Sequence, residues 1–281
     1  MNARILTLVF ASAFAAVPTL HAQFNLGELK KNLNLPAGIP GGDKLNSKNL
    51  ESGSKFLKGA GGITPQEELV IGESVALEIV GKYGGVVRDD EITKRVNLVG
   101  QALAHYSTRS ALNWKFAVLD SPSINGFSAP GGLVFITRGL YDLVGPSDDA
   151  LAAVLAHEIA HITGRHALTI IERAMKVEGG KDLIVDNNAK LSKANAEANA
   201  VLQHFDASVD KGVKIILQQG FDAPTEYAAD KDGRALALTL GYAPGGLRQV
   251  LIKLQQRTGP STAIFSTHPS LPNRIQRLPA E

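Results

Sequence analysis

The run Ser147-Asp-Asp-Ala-Leu-Ala-Ala-Val-Leu-Ala-His-Glu-Ile-Ala-His161 constrains this chain more than any other stretch. Ser147 followed by Asp148 and Asp149 is a helix start, and the Ala- and Leu-rich residues behind it hold neither Gly nor Pro, so a helix is predicted. Four residues turn a helix by about 400°, which sets His157 and His161 one above the other on a single face with Glu158 beside them. Polar side chains without partners are costly inside so apolar a helix, and this spacing offers a way to satisfy them. Two imidazoles at i and i+4 can reach one divalent ion such as zinc at about 2.0–2.1 Å each, leaving Glu158 next to an open corner. Neutral ligands leave positive charge on the ion, which lowers the pKa of a bound water toward ~7, and a neighbouring carboxylate can take that proton.

An ion with one open corner needs a third protein ligand, and two candidates stand downstream. His166 nearly completes the metzincin pattern H-E-x-x-H-x-x-G-x-x-H but comes one residue early, with Ala167 at the required place. Met175, the only methionine downstream, lacks the loop signals of a Met-turn. On a continuing helix His166 would leave the His157/His161 face, which reads as a structural or surface role. Glu226 and Asp230, in Glu-Tyr-Ala-Ala-Asp, instead share a helical face. Glu226 could ligate the ion while Asp230 accepts the ring N–H of a ligand histidine. Taken alone, the same two acids also suit a solvated face pairing with Lys231 and Arg234.

Little else in the chain competes with this chemistry. The 281 residues include no cysteine, which removes disulfides, thiolate zinc sites, cysteine nucleophiles and the Cys-liganded peptide deformylases. Lys and Arg total 29 against 27 acids, a net charge of +2 without a basic block, which argues against a nucleic-acid partner. With 44% hydrophobic and 20% charged residues, the composition is that of a globular chain able to bury a core.

Arg4, the apolar run Ile5–Val17 and the small Ala22 form the pattern of a secretory signal peptide over residues 1–22, although Leu20 is bulky for its position before the cut. No later segment is long and apolar enough to span a bilayer, Leu69–Val80 being interrupted by Glu73 and Glu78, so the mature chain is expected to be exported without a transmembrane anchor. Residues 23–62, rich in Gly, Asn, Lys and Ser, read as a linker or loose arm, leaving 63–281 as one domain.

Within that domain Thr64, Pro65 and Glu67 form a capping box opening a helix that stops near Gly81. A second helix is expected over Asp90–His105, and later ones over Thr225–Leu240, Leu247–Gln256 and Pro272–Leu278. Trp114–Leu119 and Leu133–Thr137 read as strands joined by the turn-rich Ser121–Gly132. In 172–219 an apolar stripe of Leu202, Phe205, Val209, Val213 and Ile216 reads as a core-facing helix. Leu133–Thr137 is taken as an edge strand able to pair with an extended peptide.

Asn125-Gly126-Phe127-Ser128-Ala129-Pro130-Gly131-Gly132, His157-Glu158-x-x-His161, Glu226-x-x-Ala229-Asp230, and Thr267-His268-Pro269 with Arg274 six residues past His268 follow one another in this order. Together they resemble the HtpX and CAAX prenyl protease-type zinc metallopeptidases (gluzincins), and especially their exported BepA- and LoiP-like members, over about Gln66 to Leu278. Gly126 and Ser128 stand where the family's N-A-F-A-x-P-G-G carries alanines. The last motif lies close to the end of the sequence, and a tetratricopeptide region like that of BepA-like members is not expected.

The resemblance implies an α+β, mostly helical zincin-like metallopeptidase domain with a small β-sheet edging the active-site cleft. One zinc per chain would be held by His157, His161 and Glu226, with Glu158 as general base and Asp230 orienting a ligand histidine. His268 would stabilise the tetrahedral oxyanion and Arg274 would brace the site. Asn125, Pro130, Gly131 and Gly132 would meet the substrate. Unfolded or misassembled envelope polypeptides are the substrates implied, with envelope or outer-membrane assembly proteins as partners and the periplasm as location. The alternative from another class is a chaperone-like or scaffold protein that holds unfolded chains over a latent metal site covered by His166 or residues 172–219.

Overall fold

Thr64 opens the first helix, α1 (Pro65–Lys82), by the expected reciprocal cap: its side chain accepts the Glu67 N–H while Glu67 accepts the Thr64 N–H at 2.8 Å. The computed structural model describes residues 63–179, 211–258, 268 and 271–280. The expected signal segment 1–22, the arm 23–62 and most of 172–219, with Leu202, Phe205 and Val209, lie outside the described residues. The second helix, α2 (Asp90–His105), is capped by Asp89, whose carboxylate accepts the N–H groups of Glu91 and Ile92.

Strands β1 (Lys115–Leu119), β2 (Gly126–Ala129) and β3 (Leu133–Thr137) form a sheet in the order β1-β3-β2, with β1 parallel and β2 antiparallel to β3. This corrects the expectation for Leu133–Thr137, which is the central strand and has no free edge. All its residues are buried, and an unbroken apolar run is the signature of a strand covered on both faces. The edge strands are β1 and β2, and β2 falls inside the stretch read as a turn. Its Gly-Phe-Ser-Ala lacks β-branched residues and is buried throughout, so neither propensity nor alternation marks it in the sequence.

After β3 come α3 (Arg138–Val144), α4 (Asp148–Thr163), α5 (His166–Gly179), the helical residues 211–219, α6 (Ala223–Thr239), α7 (Gly246–Thr258) and α8 (Leu271–Arg277). Alternate side chains of the sheet feed two cores. Phe116, Val118, Val134 and Ile136 join α2, α4 and α7 on one face. Ala117, Leu119, Leu133 and Phe135 join α1, α5 and Val213, Ile216 and Leu217 on the other.

Helix α4, capped by Ser147 as expected, is buried without interruption from Ala150 to Ile162. That fits a helix enclosed by α2, α6 and α7. No helix among the described residues is long and apolar enough to cross a membrane.

Candidate metal centre

The burial of α4 leaves His157, Glu158 and His161 to find their partners inside the protein. Helix α6 brings them. It starts at Asp222, which caps Thr225, and Glu226, Asp230 and Gly233 recur along one face of it. A Cβ at Gly233 would stand 2.8 Å from His157 Cα, so the bare glycine lets the α6 backbone lie directly on the turn that carries His157. Helix α8 is only two turns long and is held in place by buried Leu271 and by the Arg277 guanidinium stacked 4.2 Å over the Tyr227 ring of α6. It delivers Arg274.

Four donors converge. His157 Nε2 lies 3.1 Å from His161 Nε2 and 3.6 Å from Glu226 Oε2, while His161 Nε2 lies 3.5 Å from Glu226 Oε1. Ligands at about 2.05 Å around a tetrahedral ion stand about 3.3 Å apart, so these separations suit zinc-type coordination. His268 Nδ1 joins the set at 3.4 Å from His157 Nε2 and 2.9 Å from Glu226 Oε1, and the four residues are a group able to hold one metal ion.

Charge gives an independent test of fit. Glu158, Glu226 and Asp230 are buried beside one buried guanidinium, Arg274, a deficit of two positive charges that one divalent cation makes good. The donor set and the charge balance both fit a bound metal.

The surrounding contacts orient each donor. His157 Nδ1 stands 3.1 Å from Asp230 Oδ1, which favours its proton on Nδ1 and leaves Nε2 bare toward the centre. Arg274 fixes that carboxylate, donating to Asp230 at 2.6 and 2.9 Å, and its Nη1 lies 2.7 Å from Glu226 Oε2.

Burial opposes ionisation of Asp230, yet the His157 ring and Arg274 override it and hold the carboxyl well below the usual range. Glu226 is likewise pushed up by burial and brought below its ordinary value by His268 and Arg274. Burial, with help from His157, His268 and His166, drives His161 well below the ordinary histidine value, toward the neutral form that ligates metals. His268 goes the other way, because the Glu226 and Glu158 carboxylates outweigh the effect of its burial.

Glu158 faces the same space from the side of the sheet. Its Oε1 lies 3.5 Å from His268 Nε2, and its Oε2 is buried without a hydrogen-bond partner. A Cβ at Gly126 would stand 2.5 Å from Oε1, so the bare glycine lets this carboxylate end lie against the start of β2.

The residues expected to meet substrate lie along that strand and the turn beyond it. Asn125 Oδ1 accepts the Gly126 N–H at 3.0 Å, Gly131 N–H donates to Glu68 Oε1 at 3.1 Å, and the Gly132 carbonyl accepts the Lys115 N–H at 2.9 Å. These backbone groups anchor the sheet to α1 and to its own neighbours. Pro130 lines a small cavity with Ser128, Arg165, Leu168 and His161.

Two contacts escaped the sequence reading. Phe221 stacks on the His161 ring, with centroids 4.2 Å apart and planes 18° from parallel. Nothing local in the sequence links them. His166, set aside as off the ligand face, has its Nδ1 3.0 Å from His161 Nδ1. The signal was Gly164, a residue that ends helices, which undercut the assumption that the helix continues.

The pattern of peptidase family M48 matches residues 91–281. The chain is 29% identical over 206 residues to the mitochondrial metalloendopeptidase OMA1 of Schizosaccharomyces pombe, covering 72% of this chain and 57% of that protein. It is 24% identical over 263 residues to the beta-barrel assembly-enhancing protease of Escherichia coli K12, covering 92% of this chain and 50% of that one. To OMA1 of Arabidopsis thaliana it is 26% identical over 221 residues, covering 77% and 42%. The chain thus spans about half the length of the curated relatives it matches. With its H-E-x-x-H helix, its carboxylate helix and more than half of its length inside the matched region, the chain belongs to peptidase family M48.

Proposed function

We propose that this chain is a zinc-dependent endopeptidase that hydrolyses peptide bonds of unfolded or misassembled envelope polypeptides. The observation that carries the reading is the convergence of His157, His161 and Glu226 at tetrahedral spacing beside an unsatisfied Glu158 carboxylate. A zinc ion held by those three residues would acidify a bound water and polarise the scissile carbonyl. Glu158 takes the proton of the attacking water and later passes it to the leaving amine. His268, whose Nε2 faces Glu158, donates to the oxyanion as it develops. Asp230 and Arg274 keep His157 and Glu226 from turning away. A peptide lying extended along β2 would bring its carbonyl to this point, because β2 is the one of the two edge strands that lies beside Glu158.

The envelope assignment is supported by the signal-like first 22 residues and by likeness to proteins named beta-barrel assembly-enhancing protease. It makes the periplasm the site of action and envelope assembly proteins the natural partners.

The test is Glu158→Gln on the purified chain. Zinc content stays at one per chain, while cleavage of an unfolded polypeptide falls by about 10²–10⁴, the range of general acid–base contributions. Cleavage at the wild-type rate sinks the assignment.

One observation favours a second reading. His157, His161, Glu226 and His268 are 4%, 1%, 0% and 1% exposed, so a substrate reaches the centre only after some element moves. In this reading the chain holds unfolded polypeptides over a latent site. Binding of an unfolded protein that persists with chelator, with no cleavage in its absence, would support holding over cutting.

A further inference from the structure

The turn that ends the H-E-x-x-H helix is built in an unusual way. Thr163 is the last residue of α4, Gly164 follows as its cap, and Arg165 takes φ 55°, the only non-glycine with positive φ among the described residues. That conformation costs about 1–3 kcal/mol. Arg165 is held in it by contacts of its guanidinium with Glu68 and with the Ile63 carbonyl, each at 3.3 Å. The reversal places His166 at the start of α5 with its ring turned back over Gly164, where a Cβ would stand 2.4 Å from its Nε2.

His166 then meets His161 edge-on, Nδ1 to Nδ1 at 3.0 Å, while Phe221 covers the face of the same ring. Two imidazole nitrogens this close are compatible only when one carries a proton and the other a lone pair. His161 Nε2 points at the metal donors, so as a ligand it must be bare and the proton of that ring must sit on Nδ1.

We propose that His166 is a positioning residue for the metal centre. Its bare Nδ1 accepts the Nδ1–H of His161 and holds that ring in the tautomer and rotation that aim Nε2 at the ion. It does for His161 what Asp230 does for His157. The two differ in charge: Asp230 is an anion fixed by Arg274, whereas His166 is a neutral acceptor, so His161 is oriented without adding a fourth carboxylate to a centre that already buries three. The inference rests on the metal-centre reading above.

The experiment compares zinc affinity, by chelator competition, in wild type, His166→Leu and His166→Asn, with thermal melts of the metal-free forms to confirm folding. The Asn amide oxygen can stand where Nδ1 stands and keeps the acceptor, whereas Leu removes it. His166→Leu is expected to bind zinc about 10–100-fold more weakly, the usual effect of losing such a partner, and His166→Asn to recover most of that loss. Wild-type affinity in His166→Leu, or a loss in His166→Asn as large as in His166→Leu, overturns the proposal alone. A wild-type chain that takes up no zinc overturns the metal-centre reading and this inference together.

Discussion

His268 shows how much can depend on which nitrogen of one ring is used. Its Nδ1 lies among the metal donors, 2.9 Å from Glu226 Oε1, while its Nε2 faces Glu158 at 3.5 Å. An imidazole that stays on the ion closes the corner a water needs, and one that moves off by an ångström or two becomes a donor for a developing oxyanion. The Glu226 and Glu158 carboxylates beside the ring raise its pKa against its burial, and a neutral imidazole already carries the one N–H that the donor role needs. On the proposed function, His268→Ala is expected to retain zinc at His157, His161 and Glu226 and to cleave about 10²–10³-fold more slowly, the loss typical of one oxyanion donor. Steady-state cleavage with parallel metal analysis reads both quantities. Faster cleavage in the variant would make the ring a plug and nothing more.

Among elements, the seam between α4 and α6 decides whether a site exists at all. Gly233 is a liability for helix propensity by about 1 kcal/mol, and on an exposed helix Gly233→Ala would stabilise. Here the added methyl meets His157 backbone atoms at 2.8 Å, and overpacking of that kind costs about 1–3 kcal/mol. The second effect is the larger, so Gly233→Ala is expected to lower stability in denaturant melts. It should also weaken zinc binding, because any relief of the clash carries Glu226 and Asp230 outward with their helix. Unchanged affinity would mean the seam tolerates the methyl.

The same seam marks the limit of what could be read in advance. His157, Glu158 and His161 were legible because their spacing is a property of one helix, and the cap at Ser147 fixed where that helix begins. Glu226 and Asp230 were legible as a pair on one face, but only the motif order connected that face to α4. Strand β2 was hidden because its burial comes from α1 and α4, which lie far away in sequence. The contact of His166 with His161 was hidden for a local reason, a single left-handed residue that reverses the chain where a continued helix was assumed.

At the scale of the whole molecule, the two cores on either side of the sheet are joined near the site by one buried carboxylate. Glu68, on α1, is paired at 2.8 Å with both Nη atoms of Arg109, accepts the Gly131 N–H at the end of β2, and lies 3.3 Å from Arg165. Arg109 in turn donates to the Ile162 carbonyl at the end of α4. One side chain thus connects α1, the β2–β3 turn and the last turn of the ligand helix.

Burial alone would raise the Glu68 pKa, but hydrogen bonds from Arg109 and Gly131 and the nearby Arg165 bring it below the ordinary value. A carboxyl whose folded pKa is depressed contributes stability that is fully present above its unfolded value of about 4.3 and is lost as pH falls through the folded one. Glu68→Gln removes the charge while keeping the shape. It is expected to cost about 2 kcal/mol at neutral pH, the scale of hydrogen bonds to a charged group. Both arginines are partly exposed and keep other partners, Arg165 the Ile63 carbonyl and Glu172, and Arg109 the Ile162 carbonyl, which keeps the cost from rising further. The difference from wild type should shrink as the pH drops below about 4, because the wild-type carboxylate is then being neutralised as well. Urea unfolding at a series of pH values reads this directly. A gap that stays constant down to the acid end would mean that Glu68 acts through shape and not through charge.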